Sequence, residues 1–379
     1  MTSDRFQFFA ESIAEICSHT LVARNRPLQW MIIANPTAGG FTIRSRWKKC
    51  CRDLAESRAH AQGNPLRNDC TPAVIPAAVH TSPEAMVKGL FLTTGPGSAA
   101  EITKALVDEI ASSQTPASAQ PFYLLIVAGG DGTSLEALSA LYRAPASVRS
   151  NMAVLRLPMG TGNDGADAQD VVRALDLLIM PSRVEFIPAL RLLTAPNGPA
   201  QSNSPFLAFN ILSVGLDAFV THMTNKMKGK LPGDFYKLWV DISSLLYDHL
   251  YTVGFLDVRA LDGQGGEVRS FREKILLLAV GVSGHRTYGS QKKILPDDRN
   301  VCALKQMPLL RKLALKGLFS TGGHTDKPES ILFNAQRVEF SGSYPILAQM
   351  DGEAVLLQRE DFPAAIELTE PVIPVLKRV

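Results

Sequence analysis

The sequence predicts an α/β protein, with an N-terminal doubly wound parallel-sheet domain followed by a C-terminal antiparallel β domain. Three observations carry this. From about Leu28 to Met180, short apolar runs alternate with stretches of helical periodicity, the pattern of βαβ units. Glycine clusters stand directly after those apolar runs, where a parallel strand turns into a helix. Beyond about Arg183, strand-like segments follow one another with Gly, Pro, Asn or Asp turns between them. The chain has 379 residues, 46% hydrophobic and 20% charged, which suits two globular domains.

The expected elements follow in order. Residues 1–27 form an N-terminal extension that reads as a helix (FQFFAESIAEICSHTLVARNR). Candidate strands are LQWMIIA from Leu28, AVIPAAV from Ala73, FYLLIV from Phe122 and AVLRL from Ala153. Between them Ile43, Trp47, Cys50 and Leu54, and then Ile102, Leu106 and Ile110, recur at helical spacing. SSQTPASAQP, around Pro116, reads as a surface loop. The second domain takes RVEFIPALRLL, PFLAFNIL, TVGFLDVRAL, EVRSFREKILLLAVGV and ILFNAQRVEFSG as strand-like segments, interrupted by a helix with the apolar stripe Phe235, Leu238, Trp239, Ile242, Leu245 and Leu246. A second amphipathic piece runs from Leu309 to Phe319. The domain boundaries are therefore 28–182 and 183–361.

Composition excludes several classes. A formal charge of +3 is no nucleic-acid-scale excess. The longest apolar run, Ile275 to Val282, is far shorter than the ~18–20 residues of a membrane span, and MTSDRFQFFAES lacks a signal-peptide core, so a cytoplasmic protein is expected. Five cysteines without a C-x-x-C pair read as reduced thiols.

The strongest motif is Gly129-Gly130-Asp131-Gly132-Thr133, between the strand FYLLIV and the helical run SLEALSALY. Glycines there let the backbone approach an anion, N–H groups of the helix start point at phosphate, and a carboxylate among them can hold Mg²⁺. A second loop, Pro158-Met159-Gly160-Thr161-Gly162-Asn163-Asp164, has the same layout. Two such loops at parallel-strand ends face one crevice. Gly160, Gly162 and Gly165 also satisfy G-x-G-x-x-G with Glu185 about twenty residues on, but that fingerprint belongs in a first βαβ unit and not after a fourth strand. Asn35-Pro36-Thr37-Ala38-Gly39-Gly40 is a third glycine-bearing turn, and Thr81 with Glu84 fits a helix capping box. Walker A and the protein-kinase motifs are absent from the sequence. Near the C-terminus, Met350-Asp351-Gly352-Glu353 places two acids two residues apart, on one face if the chain is extended. Such a pair suits metal binding or general-base work.

Taken together, NPTAGG at Asn35, Thr81, GGDGT at Gly129, PMGTGND at Pro158, SVGLDA at Ser213 and MDGE at Met350 resemble the diacylglycerol kinase catalytic-domain family, which includes sphingosine and bacterial lipid kinases. The resemblance implies an ATP-binding N-terminal domain, to which residues of about 362–379 return, and an acceptor-binding sandwich. Phosphoryl transfer to a lipid hydroxyl would take place in the cleft between them. It implies nucleotide contacts from Asn35, Gly39, Gly40, Thr81, Gly129 to Thr133, Glu136, Gly160, Thr161, Gly162 and Asn163. It implies Mg²⁺ on Asp131, Asp164 and Asp217, with Glu353 as proton acceptor and Asp351 in support. Ala38 stands where the family usually has Ser, and Leu135 where it has Asn. The loop after Gly289 is shortened, which puts in question a second structural magnesium with Asp297 and Asp298 as ligands. The implied partner is a lipid substrate; separately, the cluster Lys226, Lys228, Lys230 and Lys237 suits attraction to an anionic membrane surface, and the charge balance gives no nucleic-acid partner. A homodimer is compatible with the sequence. The rival readings are a kinase of a soluble substrate, similar to NAD kinases, and a catalytically silent lipid-binding protein.

Overall fold

The structure, a computed structural model, describes residues 2–22, 26–63, 70–73, 89–113, 120–160, 163–200, 206–227, 247, 253–288 and 292–379. The chain divides into two compact units, Met1–Ile187 with Pro371–Val379, and Pro188–Glu370.

In the first unit, helix α1 (Thr2–Ser18) buries Phe6, Phe9, Ile13 and Ile16, spaced as one helical face. These side chains lie in the unit's main core, where Phe6 and Phe9 meet Phe41 at ring distances of 5.0 and 5.2 Å. The N-terminal segment is thus a piece of the core. The sheet is built from β1 (Leu28–Ala34), β2 (Cys70–Pro72), β3 (Leu90–Leu92), β4 (Phe122–Gly129), β5 (Met152–Pro158) and β6 (Ser182–Ile187), with the C-terminal strand Ile373–Arg378. Its order is β2-β1-β4-β5, then Ile373–Arg378, then β6, with β3 also on β1. All pairs are parallel except that of β6 with the C-terminal strand. Every residue of β4 is buried, because helices cover both faces of such a sheet. Helices α2 (Gly39–Thr42), α3 (Arg44–Gln62), α4 (Ser98–Ser112), α5 (Asp131–Tyr142), α6 (Ala146–Arg149) and α7 (Val171–Ile179) connect the strands.

Two features depart from the sequence reading. A three-residue strand at Leu90–Leu92 was not expected, and AVIPAAV beyond Ala73 falls outside the described residues, as do the loop at Pro116 and the stripe Phe235–Leu246. RVEFIPALRLL is not one segment. It breaks at Pro188, which cannot donate to a ladder, into β6 of the first unit and a strand Leu190–Leu193 of the second.

The second unit is antiparallel throughout its described pairs. Arg286–Tyr288 and Lys292–Leu295 form a separate two-stranded pair, and the main sheet runs continuously through eleven strands. The fifteen-residue strand Glu267–Gly281 joins its halves, pairing with Phe255–Leu261 early and with Ile211–Gly215 and Val301–Lys305 late. A single apolar core takes residues from both halves, among them Val258, Phe340, Val214 and Ala303, so the continuous sheet packs on itself as a sandwich. No helix among the described residues is long and apolar enough to cross a membrane.

Candidate active site

The parallel register gathers three loops of the first unit. Ala34 of β1 stands opposite Ala128 of β4, and Gly129 opposite Pro158 of β5. The turns at Asn35, Gly129 and Pro158 therefore leave neighbouring strands at one carboxyl edge, where open α/β sheets bind ligands. Glycine is required at the contact between them: a Cβ on Gly160 would stand 2.4 Å from the Gly130 Cα, and one on Gly129 2.6 Å from the Thr133 Cβ. Backbone and side-chain bonds join the loops. Gly40 N–H donates to the Met159 carbonyl (2.7 Å), Met159 N–H to that of Gly129 (3.1 Å), and Asn35 Nδ2 to Thr133 Oγ1 (3.2 Å). Asn35 Oδ1 in turn accepts from Thr37 N–H and its hydroxyl, which shapes the turn.

Asp131 opens α5, whose N-cap Gly130 offers no side-chain cap. The N–H groups of that first turn have no intrahelical partner, as an anion site needs. One Asp131 oxygen accepts from Gly165 N–H (3.0 Å), which brings Asp131 beside the turn carrying Asp164. Asn163 adopts φ +58°, and its amide closes a ring on Gly160: Oδ1 accepts from Gly160 N–H (2.6 Å) and Nδ2 donates to its carbonyl (3.1 Å). Glu136 faces elsewhere, accepting from the N–H groups of Gly97 (2.8 Å) and Ala99 (3.2 Å), where it caps α4. Gly39, Gly40 and Gly132 belong to the loop cluster and its helix starts. Thr81, Thr161 and Gly162 lie outside the described residues.

Sequence reasoning missed two supports of this cluster. Arg156 and Asp167 form an ion pair (2.8 Å) with side chains 4% and 1% exposed, and the other Asp167 oxygen accepts from Arg156 N–H (2.6 Å). The pair pins the far end of the Gly160 loop to β5. Arg46 of α3 donates to the Gly160 carbonyl (3.1 Å) and lies against Gly39. An arginine in a buried strand was the one available signal for the first; nothing local announced the second.

In the second unit, Asp351 and Glu353 do not share a strand face. Asp351 (φ +45°) and Gly352 (φ +97°) are the two corner residues of a hairpin, with Met350 paired to Glu353. Asp-Gly at such a corner suits the left-handed backbone that the strand twist requires. The Asp351 carboxylate accepts from the N–H groups of Phe209, Asn210 and Ile211 and so ties the hairpin to the neighbouring strand. Glu353, by contrast, is exposed. Asp217, 4% exposed, accepts from the Ser213 hydroxyl (2.6 Å) and from Gln349 Nε2 (2.9 Å), while Gln349 Oε1 accepts from Gly352 N–H (3.1 Å). This buried triad supports the Asp-Gly corner from beneath.

Among the described residues no three His, Cys, Asp or Glu side chains are grouped to hold a metal. A magnesium ion that binds with a nucleotide needs only one or two carboxylates besides the phosphates. Asp131 is one such carboxylate, and the turn that carries Asp164 lies beside it. Asp297 is engaged by Arg299, whose guanidinium holds its carboxyl below the usual range, and Asp298 meets His285 (2.9 Å).

A parallel sheet whose adjacent strands end in touching glycine turns, one opening a helix on an acid, is an α/β domain built to receive a phosphate group. Residues 29–180 match the family model of the diacylglycerol kinase catalytic domain. The chain is 25% identical over 334 residues to "Putative lipid kinase YtlR" of Bacillus subtilis, covering 86% of this chain and 93% of that one. Two solved structures of Bacillus anthracis share the fold. One, "a putative diacylglycerol kinase", has a TM-score of 0.54 and 16% identity over 92% of this chain and 96% of its own. The other, described in the same words, gives 0.53 at the same identity and coverage.

Proposed function

We propose that the chain is an ATP- and Mg²⁺-dependent kinase that transfers the γ-phosphoryl group to the hydroxyl of a lipid of the diacylglycerol or sphingosine type. The observation that carries this reading is the contact of Gly130 with Gly160 at the carboxyl edge of β4 and β5, within residues 29–180 that match the diacylglycerol kinase catalytic-domain model. Phosphoryl transfer asks for positioning and charge neutralisation more than for covalent chemistry. The first unit serves as the nucleotide domain: N–H groups of the α5 start and the glycine turns hold the triphosphate. Asp131 and Asp164 hold magnesium, which supplies charge neutralisation at the phosphates. Asp217 is assigned to supporting the hairpin instead, since its Oδ2 accepts from both Ser213 and Gln349. The second unit serves the acceptor, and Glu353 takes the proton from the attacking hydroxyl, while Asp351 fixes the hairpin that presents it.

The test is Asp131→Asn, which keeps an oxygen for Gly165 N–H and removes the charge. Transfer should fall by about 10²-fold or more with the fold intact by circular dichroism. Activity within a few-fold of wild type would remove Asp131 from the metal site.

A further inference from the structure

Arg46 stands between two of the glycine turns. Its Nη1 donates to the Gly160 carbonyl (3.1 Å), and a Cβ on Gly39 would come within 2.9 Å of the same nitrogen. The bare Gly39 thus leaves the room that the guanidinium fills. Gly160 in turn touches Gly130, the N-cap of α5, so the cation and the uncapped start of that helix flank one glycine. Arg46 is half-buried, yet among the described residues the Gly160 carbonyl is its one hydrogen-bond partner and no carboxylate pairs with it. Arg191, Arg311 and Arg337, also half-buried, each pair with a glutamate. Arg46 further lies in the first turn of α3, with Arg44 and without any acid, against the preference of a helix start for negative charge.

We propose that Arg46 is a phosphate-contacting residue of the nucleotide site: one N–H stays on the Gly160 carbonyl, and the unpaired N–H groups take oxygens of the bound triphosphate. A half-buried cation without an acid, at a helix start that carries no acid either, is short of negative charge. The glycine turns let a ligand come close to it, and the α5 start adds N–H groups on the other side of Gly160. A phosphate group supplies the missing charge and accepts from a planar guanidinium fork that is already oriented. The Gly160 carbonyl does not itself require Arg46, since Asn163 Nδ2 also donates to it (3.1 Å). The proposal deepens the kinase reading and rests on it for the nucleotide.

The experiment is equilibrium dialysis of the full chain, as wild type, Arg46→Met and Arg46→Lys, against labelled Mg-ATP, inorganic triphosphate and adenosine. Arg46→Met keeps the apolar stem and removes the charge. It should weaken Mg-ATP and inorganic triphosphate by about 10–100-fold, the usual worth of a hydrogen bond to a charged group, and leave adenosine affinity unchanged. Arg46→Lys should recover part of the loss, because the charge returns without the fork. The proposal is overturned if Arg46→Met binds Mg-ATP like wild type. It is overturned equally if adenosine is weakened as much as Mg-ATP, the result expected of a residue that only shapes the loop. Arg46-dependent binding of Mg-ATP by a chain that phosphorylates no lipid would instead overturn the kinase reading and leave Arg46 at the phosphates. Wild type that binds neither Mg-ATP nor inorganic triphosphate would overturn both.

Discussion

At the scale of single residues, the two acids of the Met350–Glu353 hairpin have separable jobs. Asp351 is held by three backbone N–H groups, and Glu353 is exposed. Glu353→Gln should lower kcat by about 10²–10⁴-fold with ATP affinity nearly unchanged, the usual worth of a positioned base. Asp351→Asn weakens a charge-assisted set of bonds and should cost about 1–3 kcal/mol in urea unfolding, with a smaller loss of kcat. The opposite ranking would make Asp351 the base. The cysteines give a second test. Burial pushes the Cys50 and Cys302 thiols up to about 12, so neither should react with Ellman's reagent at pH 8 until the chain unfolds. A raised folded value means the native state keeps protons that the unfolded chain has released. Their contribution to stability is therefore whole below the ordinary thiol value, about 9, and declines as pH rises toward about 12. Flat stability across that window would contradict the burial.

At the scale of elements, Glu136 tests whether a motif position binds nucleotide or builds the fold. It sits one turn into the helix of the strongest motif, yet its carboxylate caps α4. Glu136→Ala should lower stability by about 0.5–2 kcal/mol, measured by thermal unfolding, and leave the Michaelis constant for ATP unchanged. A raised constant with unchanged stability would put Glu136 at the nucleotide. This residue also marks the limit of the sequence reading. Strands such as Leu28–Ala34 and Phe122–Gly129 were legible because both faces are buried and nearly every residue is apolar, Gln29 being the polar exception. Leu90–Leu92 was not, being three residues long, too short for any period to register. The glycine loops were legible because close approach demands glycine whatever surrounds it. Which carboxylate serves a loop, a cap or a hairpin was illegible, since that is decided by partners such as Gly97, Gly165 and Phe209, each more than thirty residues away. Asp351-Gly352 carried its own turn signal, and at this position the preference of Asp-Gly for hairpin corners prevails over the extended alternative.

At the scale of the whole molecule, the proposed nucleotide chemistry belongs to the unit formed by Met1–Ile187 with Pro371–Val379, and the proposed acceptor chemistry to the unit inserted between those segments. The sequence does not distinguish the acceptor, because that choice depends on the shape of an apolar site and not on a motif. The most direct measurement is incubation of the full chain with γ-labelled ATP, Mg²⁺ and a panel of diacylglycerol, sphingosine, ceramide, phosphatidylglycerol and NAD, followed by thin-layer separation. The account predicts label in one organic-extractable lipid phosphate, lost without Mg²⁺ and lowered by about 10²–10⁴-fold in Glu353→Gln. Label in NAD alone, or no labelled product with any acceptor from a chain that still binds ATP, would contradict it.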